Sequence, residues 1–111
     1  MSSRLVLALF WVSTATAGSA QPAIAGEPDV VRQKELVRLV RQDCGSCHGM
    51  TLQGGLGPAL LPSTLQEKPA EGLAATIYYG RPGTPMPPWK QFMSEAEAAW
   101  IVQQLMSGFP Q

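Results

Sequence analysis

The chain has 111 residues, with 8 Lys or Arg against 8 Asp or Glu, and 45% of it is hydrophobic. A formal charge of zero gives no sign of the basic footprint of a nucleic-acid binder or of attraction to an anionic membrane surface. A chain this short makes one small domain, and such domains often need a staple to complete their core.

The N-terminus reads as a secretory leader. Arg4 supplies the positive charge, residues 5–12 (LVLALFWV) form a short apolar run, and small residues dominate from Ser13 to Ala25. The run is shorter than the about 20 residues that a membrane span needs. Residues 1–20 or 1–25 are therefore expected to be a signal peptide, with cleavage after Ala20 or after Ala25. The mature domain, 26–111, is expected to act in the periplasm, free of the membrane after cleavage.

Asp29 is a good N-cap for a first helix over residues 30–43. Leu36, Leu39 and Val40 recur at three- and four-residue spacing, and Arg32, Arg38 and Arg41 fall largely on the other side. Those arginines are expected to form a solvated face.

That helix leads into Cys44-Gly45-Ser46-Cys47-His48, which holds both cysteines and the single histidine of the chain. The spacing C-x-x-C-H reads as a c-type haem attachment site. Each thiol can form a thioether to one vinyl group of the porphyrin, and His48 then supplies an axial nitrogen. A structural zinc site needs four ligands, and no second Cys/His pair follows. A thioredoxin-like pair needs a βαβ pattern, which the sequence lacks. A disulfide across this spacing would close a tiny, strained loop with little entropic return.

Residues 49–66 contain no charge, and Gly54, Gly55, Gly57, Pro58 and Pro62 break any regular element. A free loop this long and apolar is unusual unless it wraps an apolar ligand. Leu52, Leu56, Leu60 and Leu61 are expected to touch the porphyrin. Pro69 can start a second helix, with Leu73, Ala74, Ile77 and Tyr78 inward, and Gly80 is placed to end it.

Residues 81–89 hold four prolines and one glycine in nine positions. They exclude both helix and central strand and stiffen the chain. Ser94 and Glu97 then form a capping box. The last helix follows to about Ser107, with Ala98, Ile101, Val102, Leu105 and Met106 in its apolar stripe and Trp100 at the edge.

The second axial position is open to Met or Lys, or could stay empty. Met50 lies too close to His48 to cross the ring. Met93 and Met106 suit core packing. Met86, 38 residues beyond His48, stands at the centre of the stiff loop between Pro85 and Pro87. Its loss of freedom is prepaid by the prolines, and a thioether is a soft iron ligand. The other ring nitrogen of His48 needs an acceptor, for which the Pro58 carbonyl is placed. Arg81, Tyr78, Tyr79 and Trp89 are candidates to reach the haem propionates.

C-x-x-C-H followed by Gly57-Pro58, Met86-Pro87 and an aromatic-bearing last helix resembles the class I cytochromes c. More narrowly, residues 44–60 and 80–89 resemble the NirC-type group, small periplasmic proteins encoded with the cytochrome cd-type nitrite reductase of denitrifying bacteria. The resemblance implies an all-α fold of three to four short helices around one haem c. It implies thioethers at Cys44 and Cys47, axial ligation by His48 and Met86, and a Pro58 carbonyl on His48. It also implies a monomeric, non-enzymatic electron carrier whose redox partner is nitrite reductase. A role in maturing the d-type haem of that reductase is the alternative, and an open-iron gas sensor or peroxidase is a further rival. Where class I members carry a glycine and an aromatic residue on the first helix, this chain has Leu36 and Val40, so the first and last helices must pack differently.

Overall fold

The computed structural model describes Gly18 and residues 26–110. Apart from Gly18, the expected leader lies outside the described residues, as do Ala20 and Ala25, after which cleavage is expected. Those described are helical and irregular, with no strand, as an all-α fold requires. No helix among them is long and apolar enough to cross a membrane.

Helix α1 runs Val30–Leu39. The Asp29 side chain accepts the Arg32 main-chain N–H at 2.9 Å, the cap that its residue type favours. The helix was expected to stop near Asp43, but the rod continues. A single π-helical stretch, Val40–Cys44, passes into α2, Gly45–His48. No proline interrupts residues 40–48 and Gly45 keeps helical backbone at φ −60°, so the helix runs on to Gly49, whose φ of 91° ends it. Both cysteines and His48 thus stand on helical backbone.

The loop after His48 is irregular apart from one turn, α3 (Pro62–Leu65), started by proline at its first position. Helix α4 runs Ala70–Tyr79 and stops at Gly80. Helix α5 runs Glu95–Ser107 behind a complete capping box between Ser94 and Glu97.

Helix α5 packs against α4 and α3. Leu36, Val40, Ala98, Trp100, Ile101 and Leu105 share one buried cluster with Leu52, Leu65, Met93 and Phe109. Trp100 is inside this core, not at its edge. Leu36 and Val40 are fully buried, so the first helix meets the core through branched aliphatic side chains.

The solvated arginine face is the clearest correction. Arg32 spans from α1 to α5, its Nε donating to Glu97 Oε1 at 2.8 Å and its Nη2 to Oε2 at 3.0 Å. It also donates to the Phe92 carbonyl at 2.7 Å and to Glu35 at 3.0 Å. Arg41 lies over the Phe109 ring and donates to the carbonyls of Phe109 and Pro110. The two guanidiniums tie α1 and the π-helical stretch to the C-terminal part of the chain. Arg38 alone of the three fits the solvated expectation.

Candidate haem cleft

Helical backbone from Val40 to His48 places Cys44, Cys47 and His48 on one side of a cleft. Both cysteines are free thiols and half-buried. Burial, with the Asp43 charge adding to it, pushes the Cys44 thiol up to about 11, so it is protonated near neutral pH.

The loop folds back under this segment. The Gly57 N–H donates to the Cys47 carbonyl at 2.7 Å. His48 Nδ1–H donates to the Pro58 carbonyl oxygen at 2.6 Å. A carbonyl can only accept, so the proton is on Nδ1 and the Nε2 lone pair is left for a ligand. Gly57 lies so close beneath the ring that a Cβ there would sit 2.8 Å from His48 Cε1. No larger residue fits without turning the imidazole.

Met86 comes to the same cleft from the proline-rich segment. Gly80, at φ 72°, lets the chain leave α4 against that segment, and a Cβ there would lie 2.6 Å from the Pro88 nitrogen. The Arg81 N–H then donates to the Met86 carbonyl at 3.1 Å, and the Met86 N–H to Thr84 Oγ1 at 3.3 Å. The Trp89 N–H satisfies the Ile77 carbonyl at the end of α4. Met86 is thus held by hydrogen bonds on both its main-chain groups and by prolines on both sides.

The cleft has an outer hollow of about 190 Å³ and an inner one of about 510 Å³, sharing Cys44, His48, Pro58, Arg81 and Met86. Cys47, Leu56, Gly57 and Trp89 line the outer hollow. Leu60, Leu73, Ile77, Ile101, Val102 and Leu105 line the inner one. Two thiols, one imidazole nitrogen and one thioether on a largely apolar wall fit a covalently held haem, with soft and borderline donors suited to iron.

Not every expected contact is there. Leu56 and Leu60 are on the walls; Leu52 is buried in the core behind them, and Leu61 is on neither wall. Arg81 and Trp89 reach the cleft. Tyr78 and Tyr79 do not, because Tyr78 packs on the core and the Tyr79 hydroxyl donates to Glu95 at 3.1 Å. Met50 is exposed, and Met93 is buried in the core. The sequence reading passed over Lys68, Thr64 and Thr76, which line the inner hollow. The apolar stripe of α5 was legible, but its double use as core and cleft wall was not.

Comparison with known proteins places these features in a family. Residues 31–104 match the family described as cytochrome c oxidase, cbb3-type, subunit III. Cytochrome c55X of Pseudomonas aeruginosa is 56% identical over 88 residues, 78% of this chain and 74% of that protein. A solved c-type cytochrome NirC superposes with a TM-score of 0.72 at 56% identity, covering 73% of this chain and 95% of that one. The dihydro-heme d1 dehydrogenase of Pseudomonas aeruginosa is 40% identical over 73 residues, 65% of this chain but 15% of that protein.

Proposed function

This chain belongs to the cytochrome c family, and from that premise we propose that it is a periplasmic, monomeric, monohaem carrier that passes single electrons to nitrite reductase in denitrification. The observation that carries the reading is the meeting of four groups in one cleft: two free thiols, a histidine fixed on Pro58, and Met86 on the loop beyond.

In this reading Cys44 and Cys47 would hold the haem through thioethers, and His48 Nε2 and the Met86 sulfur would be the donors to its iron. When bound, haem supplies a one-electron iron couple, whose potential the ligands and burial set. The protein's own residues do the rest. Pro58 orients the imidazole and raises its basicity by accepting from Nδ1–H. The Gly80–Arg81 turn and the prolines keep the thioether in position. Leu73 and Ile77 of α4 and Ile101, Val102 and Leu105 of α5 give the inner hollow an apolar wall. The likeness to cytochrome c55X and NirC supports the carrier reading.

A second reading has its own support. The likeness to a dihydro-heme d1 dehydrogenase favours a role in making the d-type haem of the reductase. A deletion strain separates the two. Reductase lacking its d-type haem would mean maturation; reductase with the haem but slowly reduced would mean electron supply.

The reading is tested first on the protein matured in the periplasm. Its pyridine-haemochrome spectrum should be that of two thioethers. Cys44→Ala or Cys47→Ala should leave at most one, with a shifted band. Full holoprotein from the double variant would overturn the attachment.

A further inference from the structure

Six titratable or charged side chains stand on the cleft walls: Asp43, Cys44, Cys47, His48, Lys68 and Arg81. Two of them, Lys68 and Arg81, are basic side chains, and Asp43 is the single carboxyl group among the six. They are not evenly spread. Asp43 lines the outer hollow alone, Lys68 the inner hollow alone, and Arg81 both.

Among the described residues the ion pairs are Arg32 with Glu35 and Arg32 with Glu97. Among those residues neither Lys68 nor Arg81 pairs with a carboxylate. Both residues are exposed, and a cation on an otherwise apolar wall attracts an anionic group placed beside it. Lys68 sits on the link between α3 and α4, its N–H donating to the Leu65 carbonyl at 2.9 Å. Arg81 is tied through its own N–H to the Met86 carbonyl.

Resting on the haem reading above, we infer that Lys68 and Arg81 hold the two carboxylates of the bound haem. The carboxylate edge lies in the inner hollow, away from Asp43, and the thioether edge lies toward Cys47. Thr64, on the same inner wall, adds a hydroxyl to that edge. Like-charge repulsion from Asp43 and attraction to Lys68 act in the same sense, so the charged walls reinforce the orientation that thioethers at Cys44 and Cys47 would fix.

The test compares holoproteins of the natural sequence, Lys68→Gln, Lys68→Arg and Lys90→Gln. Lys68 and Lys90 are both exposed, but Lys90 is on neither wall. Midpoint potentials are read at one pH and ionic strength, and the propionate bending modes by resonance Raman. A cation beside the haem carboxylates favours the reduced iron, so Lys68→Gln should lower the potential and shift a propionate mode. Lys68→Arg should restore both, and Lys90→Gln should leave the propionate modes where they were. Propionate modes in Lys68→Gln unchanged and a potential matching Lys90→Gln would overturn the assignment. The haem reading fails separately, if the natural protein shows no c-type spectrum at all.

Discussion

The imidazole of His48 is fixed from two sides at once: Nδ1–H donates to the Pro58 carbonyl at 2.6 Å, and Gly57 lies directly against the ring. The same short loop thus sets the tautomer and the tilt. Gly57→Ala would place a Cβ 2.8 Å from Cε1 and 2.9 Å from Nδ1. The ring must turn, and the bond to Pro58 lengthens. Overpacking of this kind costs about 1–3 kcal/mol. The variant should melt earlier and show a changed potential, read by thermal unfolding and redox titration of the holoprotein. Unchanged values in both would mean that the loop yields and does not orient the ring.

The Arg32–Glu97 pair gives a prediction about acid. Glu97 accepts from Arg32 and from the Ser94 N–H, and the Arg32 bond in particular holds its carboxyl below the usual 4.5. A carboxyl with a lowered folded-state pKa contributes stability above its unfolded value. That contribution should fade as pH falls below about 4.5, through the folded-state value. Glu97→Gln should cost about 1–2 kcal/mol at pH 7, since the bonds it weakens are charge-assisted and partly buried. Melting should drop by about 4–8 °C per kcal/mol for a domain of this size. The gap between natural protein and variant should narrow at pH 3. A gap that stays constant with pH would mean that the pair is not what holds α1 to α5.

This pair also marks what the sequence could not tell. Asp29, Ser94–Glu97 and Gly80 act through neighbours in the chain, so their caps could be read directly from residue type and spacing. C-x-x-C-H and the Met86 loop were legible for the same reason: spacing and stiffness are local. Arg32 meets Glu97 across 65 residues, and the helical period alone gave it only a polar face. Lys68 was missed because its role depends on where α3 and α4 fold against the cleft. The helix overran Asp43 because the reading placed a boundary where the haem motif began, although no proline stands there and Gly45 keeps helical backbone.

The mouth of the cleft predicts how partners are met. Residues 49–66 and 83–89 carry no charge, Leu56 on the outer wall is 79% exposed, and the charges on that wall are one acid, Asp43, and one base, Arg81. Charge-steered carriers lose association rate steeply with salt. Electron transfer to the partner reductase should therefore change little between low and moderate ionic strength in stopped flow. Leu56→Ser and Pro87→Ser should slow it more than charge reversal at Arg38, the arginine of α1 left in solvent. A fall of more than about tenfold across the salt series would point to the charged face of α1 instead.

The central claim is that His48 and Met86 complete the iron's coordination, and the oxidised absorption spectrum of Met86→Ala tests it most directly. The natural protein should show a weak sulfur-to-iron band. In Met86→Ala the band should vanish, the potential should fall, and carbon monoxide should bind the reduced protein, because the thioether that raises the potential and blocks the sixth position is gone. Met93→Ala should keep the band, since Met93 is buried in the core away from both walls. A band that survives in Met86→Ala and disappears in Met93→Ala would contradict the ligation proposed here.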